Sequence, residues 1–458
     1  MIEKLGSTVT SPEQVSARLE RLPVSRWHVR TRVVVGAVTF FDGFDQLMVA
    51  YALPVLIPLF HMDAGMVAWT IAIGGLGMLI GALAGGWFAD RVGRLRVLRW
   101  SLVIYAVASL ASAFTGTLWV FLALRFVQGL GLGAEVPVAA TYIGEITRAH
   151  RRGRFVLLYE LIFPAGLVMS SIVAAWVVPT LGWRVLFALG ALPIILVPLL
   201  RRIPESPRWL AARGRLDEAE AAMAEIEADV ERTTGAPLPA PQVAAAAPVE
   251  LHRPRVAELF GGVYLRRTLM LAAAWLTAYF VNYGIASWLP TIYRTVFKLD
   301  VGTALVYSIA TTVAGLVGCL VIALLIDNIG RRIAITGSLV CSSALLFLLA
   351  ATGAGTATQV LLWSAGSAVF IYAVNLALYV YTAELYPTRM RALGCSVGGA
   401  FGRLGIIVGP LVVGAIVGAG LSIAHVFAVM GAVALVGAIS TGIFAVETKE
   451  RSLEEISR

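Results

Sequence analysis

The stretch "GGWFADRVGRLRV" at 85–97 has a counterpart in "ALLIDNIGRRIAI" at 323–335. Each closes a long apolar run with an aspartate and a basic turn, and Asp90 and Asp327 stand 237 residues apart. A second pair of landmarks, "YIGEITRAHRRGR" (142–154) and "YTAELYPTRMRALG" (381–394), sets Glu145 and Glu384 239 residues apart. Two independent landmarks with nearly one offset make the chain two copies of one plan.

The medium of that plan follows from composition. Hydrophobic residues make up 59% of the 458 positions and charged residues only 14%, where soluble domains carry about 25% charged residues. No water-soluble fold hides so much apolar surface, so the chain is an integral membrane protein. Its 45 glycines suit close helix approach in lipid. The formal charge of +9 reads as basic loops at the membrane surface, not as a nucleic-acid footprint.

About twenty apolar residues span a bilayer as a helix. That criterion gives twelve segments, near 33–60, 66–89, 97–114, 119–141, 155–178, 184–200, 269–290, 303–326, 333–352, 358–383, 393–417 and 422–445. The expectation is an all-α membrane protein of twelve transmembrane helices in two six-helix halves. A tail (1–32) precedes the first bundle (33–200), a loop (201–268) joins it to the second (269–445), and a tail (446–458) follows. The loop opens with an Ala/Glu/Arg-rich amphipathic helix and continues as the Pro/Ala-rich linker "TTGAPLPAPQVAAAAPVE". Residues 1–32 are polar and the first apolar run is too long for a signal-peptide core, so no cleavable signal is expected. "DRVGRLRVLR" (90–99) and "RAHRRGR" (148–154) hold four arginines each, whereas "HMDAG" (61–65) and "TGT" (115–117) hold none. Positive loops stay inside, which puts both termini in the cytoplasm and the protein in a cell (inner) membrane. Cys319, Cys341 and Cys395 fall in apolar segments and are expected as free thiols. Two repeats joined by a long loop are the plan of a transporter whose solute binds between the halves near midplane.

The chain resembles the major facilitator superfamily over nearly its whole length. "GGWFADRVGRLRV", "RFVQGLGLGAEVP" (125–137), "PESPRWL" (204–210), "AELYPTRMRA" (383–392) and "ETKERSLEEI" (447–456) carry the resemblance. The third and fifth look like the branch shared by sugar porters, organic-ion carriers and bacterial metabolite–proton symporters, although Val446 and Glu450 depart from its C-terminal pattern. Helix seven, "AWLTAYFVNYGIASWLP" (274–290), lacks the paired glutamines of a sugar porter. "DGFD" (42–45) looks like the aromatic-acid–proton symporters, and the whole pattern resembles bacterial nicotinate carriers. In "GGAFGRLGIIVGPLV" (398–412), Arg403 sits where related organic-anion carriers have a substrate-facing arginine.

The resemblance and the residues together give site expectations. Asp42 and Asp45, three apart on one helix face, are costly charges in lipid and should line an aqueous cavity or carry protons. Glu135 joins them in proton coupling. Arg125 cannot give up its proton and suits a carboxylate, either of the solute or of Asp45 or Glu135. Glu160 is read as sitting near the arginines of 151–154. Tyr279, Asn282 and Tyr283 on helix seven, with Asn375 and Tyr379 on helix ten, offer aromatic faces and amide donors to a flat solute. A carboxylate on that solute would be drawn to Arg403. Trp288 is either part of this cluster or an interfacial residue. Asp90 with Arg94 and Asp327 with Arg331, beside Glu145 and Glu384, are expected to gate the cytoplasmic side. No metal or cofactor is implied, and "GLGLG" (129–133) reads as helix-packing glycine, not a phosphate loop.

The function expected is a proton-coupled, non-enzymatic secondary transporter. It imports a small organic anion, an aromatic monocarboxylate such as nicotinate or a benzoate-like acid, and works as a monomer in the bilayer with no nucleic-acid partner. A symporter of a sugar or other neutral metabolite, and an exporter of drugs or metabolites, are the rivals on the same fold. A non-transporting sensor is the rival from another class.

Overall fold

The computed structural model describes residues 11–23, 25–146, 160–241, 256–387 and 390–449. Among them twelve helical rods are long and apolar enough to cross a membrane. A short helix α1 (Pro12–Glu20) precedes them. The first rod is broken into α2 (Arg26–Gln46) and α3 (Met48–Phe60), and α4 (Ala64–Val92), α5 (Arg94–Ala113), α6 (Leu118–Ile146) and α7 (Ile162–Leu181) follow. The sixth rod is α8 (Trp183–Leu189), a 3-10 turn at Leu192–Ile195 that carries Pro193, and α9 (Leu196–Leu200). Between the halves lie α10 (Pro207–Ala212), α11 (Leu216–Thr234) and α12 (Val256–Leu259). The second half is α13 (Gly262–Thr295), α14 (Val301–Ile329), α15 (Arg331–Ala351), α16 (Ala357–Leu385), α17 (Arg391–Gly418) and α18 (Ile423–Phe444).

The repeat is visible in how equivalent helices start and stop. Asp63 caps α4 by accepting from the Met66 N–H at 2.7 Å, and Asp300 caps α14 by accepting from Thr303 at 3.0 Å. At their far ends both helices stop at a glycine with positive φ, Gly93 at 116° and Gly330 at 86°. Side-chained residues avoid that conformation, so each helix pair turns sharply at one membrane face. We call the face carrying the described chain ends the terminal face, and the other the opposite face.

Lipid-facing surface is plain in the exposed residues. Leu324 and Leu83 are 77% and 67% exposed on rods that bury their glycine faces. Exposed tryptophans gather near both ends of the rods, with Trp69, Trp119 and Trp176 toward the opposite face and Trp87 and Trp100 toward the terminal face. Two such belts mark membrane–water interfaces.

Glycine decides how closely α4 and α6 pack. A Cβ on Gly129 would strike the Gly74 carbonyl oxygen, and one on Gly133 the Met78 carbonyl oxygen. "GLGLG" is thus a packing seam, as its sequence implies. Gly133→Ala must push two backbones apart. Overpacking of this kind costs about 1–3 kcal/mol, and the expected outcome is a lower unfolding temperature and a smaller monodisperse fraction on size exclusion.

On the terminal face the structure differs from the polar tail read over residues 1–32. The first rod begins at Arg26, and α1 folds back onto α11. Arg18, almost fully buried, pairs with Glu220 at 2.6 Å and Glu227 at 2.7 Å, and Arg21 also reaches Glu227. Partial burial opposes ionisation of Glu227, yet the hydrogen bonds from Arg18 and Arg21 outweigh it and hold its carboxyl below the usual range. The partners lie some 200 residues away in sequence, so no local pattern announces this contact.

Candidate functional site

The two halves meet toward the opposite face. There α4 packs on α17, with Ala68 against Gly414, and α7 packs on α14, where the hydroxyls of Ser171 and Thr312 stand 2.9 Å apart. Behind these contacts, near the middle of the rods, lies a cavity of about 100 Å³.

The cavity brings together most of the residues expected to bind the solute. Asp42, Tyr279, Asn282, Tyr283, Asn375, Tyr379 and Arg403 all line it. Helix α13 presents an aromatic ladder: Trp275 stacks on Tyr279 at 5.3 Å, and Tyr279 stacks on Tyr283 at 5.9 Å with planes 12° apart. Spacings of four residues place these rings on one helix face. Tyr379 of α16 closes edge-on against Trp275, its hydroxyl 3.3 Å from that of Tyr279. Arg403 stands half-buried on α17. Its Nη1 donates to the Gly399 carbonyl of its own helix at 3.2 Å, its Nε has no partner, and no carboxylate among the described residues lies within ion-pairing distance.

The two helix-one aspartates part company. Asp42 is fully buried on the cavity wall, and among the described residues its oxygens have no partner other than the neighbouring Glu135 carboxyl. Glu135 of α6, also fully buried, interacts with it and accepts from the Thr39 hydroxyl at 3.0 Å. Asp45 does not line the cavity. Both its oxygens accept from Gln128 Nε2 at 2.6 Å, and Arg125 Nη1 stands 3.8 Å away while donating to Gln128 Oε1 at 2.7 Å. Arg125 lines a smaller void beside the cavity. The expectation of one shared aqueous face for Asp42 and Asp45 is therefore corrected. The rod breaks at Leu47, just past Asp45 (φ −103°, ψ 3°), and helix four supplies the Asp45 partners.

Other placements also differ from the sequence reading. Glu160 lines the cavity, and the arginines of 151–154 beside which it was read lie outside the described residues. Trp288 is buried, its Nε1 donating to the Pro410 carbonyl at 3.1 Å, so it is neither interfacial nor in the cavity wall. Gln46, Trp275 and Tyr372 line the cavity, and Gln128 bridges Arg125 to Asp45, without having been singled out. Gln128 was within reach, because three residues after Arg125 puts it on the same helix face.

The expected gating residues form two matching clusters on the terminal face. Arg94 pairs with Asp90 at 2.6 Å and Glu145 at 3.1 Å, and Arg331 with Asp327 and Glu384 at 2.9 Å each. Each cluster is internal to its own half. Two carboxylates complete the symmetry: Glu205 of "PESPRWL" accepts from the backbone of Arg94 and Leu95, and Glu447 of "ETK" from that of Arg331 and Arg332. Both neutralise positive helix N-termini. Burial opposes the charged form of Glu447, but N–H groups of Lys449, Arg331, Arg332 and Thr448 outweigh it and hold its carboxyl below the ordinary value. A depressed folded value stabilises the protein above the unfolded pKa and loses that contribution as pH falls through the folded one. Glu447→Gln should therefore cost about 1 kcal/mol near neutrality. Thermal unfolding of variant and parent should converge on acidification.

No metal-binding cluster is found among the described residues, and Cys319, Cys341 and Cys395 are free thiols.

The comparisons agree with this architecture. The sequence profile of the sugar (and other) transporter family matches residues 37–458. The niacin transporter NiaP of Acinetobacter baylyi is 33% identical, over 96% of this chain and 99% of its own. A gallate transporter of Pseudomonas putida is 29% identical, over 95% and 96%. The proton:xylose symporter XylE, bound to 6-bromo-6-deoxy-D-glucose, superposes with a TM-score of 0.72 at 19% identity, over 94% of this chain and 98% of that one. Twelve membrane rods in two matched halves around a midplane cavity are what such carriers share, and this chain belongs to the sugar (and other) transporter family of the major facilitator superfamily.

Proposed function

We propose that the chain imports a small organic anion together with protons by alternating access, the solute being an aromatic monocarboxylate such as nicotinate or a benzoate-like acid. The observation that carries this reading is Arg403, a fixed positive charge on the cavity wall with no acid paired to it. An unpaired guanidinium away from water is costly, and a solute carboxylate would complete it. The flat faces of Tyr279 and Tyr283 suit a ring held on that carboxylate. Relatives that carry niacin and gallate support an organic acid as cargo.

Asp42 and Glu135, carboxyls in contact and out of water, suit the carriage of a proton, and Asp45 with Arg125 relays the charge change between helices one and four. The arginine-rich loops put the terminal face in the cytoplasm of an inner membrane, so the structure is inward-facing. The Asp90–Arg94–Glu145 and Asp327–Arg331–Glu384 clusters then brace the cytoplasmic ends for closure, and a monomer suffices.

The test is uptake into proteoliposomes under an inward proton gradient. Nicotinate and benzoate should accumulate and xylose should not, with accumulation abolished by a protonophore. The likeness to XylE favours a second reading, a sugar–proton symporter. Accumulation of xylose without that of any acid would select it.

A further inference from the structure

One stripe of α16 faces the cavity, where Tyr372, Asn375, Leu376 and Tyr379 line it at the spacing of a single helix face. The rod runs from the opposite face to the terminal face. Tyr372 therefore stands about 10 Å deeper than Tyr379, toward the end that the contacts between the halves close. Its ring lies flat on α14. A Cβ built on Gly315 would sit 2.7 Å from Cγ and Cδ1 of Tyr372 and 2.8 Å from Cδ2, over the face of the ring. Ordinary carbon contacts begin at about 3.5 Å, so a side chain at 315 must move the ring by most of an ångström. Spreading the helices instead would undo the contacts on either side. A Cβ on Gly318 would strike the Val369 carbonyl oxygen, so the backbones of α14 and α16 already touch there. The Cys319 thiol donates to the Tyr372 carbonyl at 3.5 Å, and Thr312, one turn before Gly315, is held by Ser171 of the other half.

The free space left to a displaced ring is the cavity that Tyr372 lines. We infer that Gly315, which does not itself line the cavity, is a specificity-determining residue. It lets Tyr372 lie back on α14 and thereby sets how long a solute the cavity admits. This rests on the organic-acid reading above and deepens it, because the limit falls on the ring substituents of the acid. Arg403 is within electrostatic reach of Tyr379, so an acid whose carboxylate sits on Arg403 extends its ring along the α16 stripe toward Tyr372. The cavity is small, about 100 Å³. A Tyr372 ring advanced by most of an ångström takes room that a methyl group of the solute would fill. One methylene in an apolar pocket is worth roughly 10–200-fold, so the effect is graded with the length of the acid.

The experiment measures affinities of the purified full chain, by calorimetry in nanodiscs, for nicotinate, benzoate and benzoates carrying methyl, ethyl or propyl at position 3 or 4. Gly315→Ala should weaken the longest alkyl acid that the parent binds on the order of tenfold more than it weakens benzoate. Tyr372→Ala should admit at least one acid longer than the parent's limit. Gly315→Ala added to Tyr372→Ala should then change nothing, since the new methyl has no ring to displace, whereas a disturbance of the α14 backbone would persist. Equal loss across the series, a limit unmoved by Tyr372→Ala, or a graded loss that persists without the ring would overturn the inference and leave the organic-acid reading standing. Should Gly315→Ala alone fail to fold, recovery of folded protein in the double variant supports the inference and continued failure overturns it. A parent that binds none of these acids overturns the organic-acid reading, and the inference with it.

Discussion

Arg403→Ala should weaken binding of the cargo acid roughly ten- to a hundred-fold and leave its uncharged amide analogue almost untouched. The estimate is the loss of a hydrogen-bonded contact to a charged group, about 1.5–3 kcal/mol. The selectivity follows from the surroundings. Gly402 and Gly405 let α17 lie close on Trp275, Tyr279 and the Leu276 carbonyl of α13, so the guanidinium cannot withdraw through the helix contact and turns to the cavity. There its one hydrogen bond among the described residues is to the Gly399 carbonyl, and Asp42, on the other half, feels its charge across the space between. A solute carboxylate therefore takes a cation that is held in place and unspent. Arg403→Lys should recover part of the affinity, since an ammonium keeps the charge and loses the planar fork. Binding constants for acid and amide, measured side by side on both variants, check the expectation. Equal loss for acid and amide would make Arg403 a structural counter-charge and remove the main support for an anionic cargo.

How much of this was legible in the chain depended on the range of the physics involved. Membrane rods are local: an apolar run of about twenty residues has one stable conformation in lipid, and the Asp–Gly–Arg turns at 90–94 and 327–331 repeat it in register. The cavity wall was legible where one helix carried it, as with the four-residue ladder from Tyr279 to Tyr283. It failed where the deciding partner came from another helix. Asp42 and Asp45 look equivalent along helix one, and only Gln128 and Arg125 of helix four, which engage Asp45 and not Asp42, set them apart. Glu160 lines the cavity, a placement that its neighbours in sequence, the arginines of 151–154 outside the described residues, gave no sign of. Trp288 has the composition of an interfacial residue, and its hydrogen bond to the Pro410 carbonyl, 122 positions on, buries it.

The contrast between Asp45 and Arg125 gives the second large effect. Arg125 is 4% exposed and Asp45 1%, and Gln128 is wedged between them so that its amide donates to the carboxylate and its oxygen accepts from the guanidinium. Removing one member of a buried pair leaves the other charge uncompensated, at about 3–5 kcal/mol. Total stabilities are only about 5–15 kcal/mol, so Arg125→Ala should largely abolish folded, monodisperse protein. Asp45→Asn also takes the counter-charge from Arg125, but an asparagine oxygen still accepts from Gln128 and Arg125 still donates to Gln128, so the loss of folded yield should be smaller than in Arg125→Ala. What it cannot do is change charge. If Asp45 takes part in coupling, Asp45→Asn vesicles should lose accumulation driven by a pH gradient while cargo exchange across the membrane continues. Arg125→Gln combined with Asp45→Asn removes both charges at once, and should recover much of the folded yield lost in Arg125→Ala without recovering accumulation. Size exclusion of the three variants and paired uptake and exchange assays separate the two roles. Gradient-driven accumulation at the parent level in Asp45→Asn would make the Arg125–Gln128–Asp45 cluster a brace between helices one and four, and would leave proton carriage to Asp42 and Glu135.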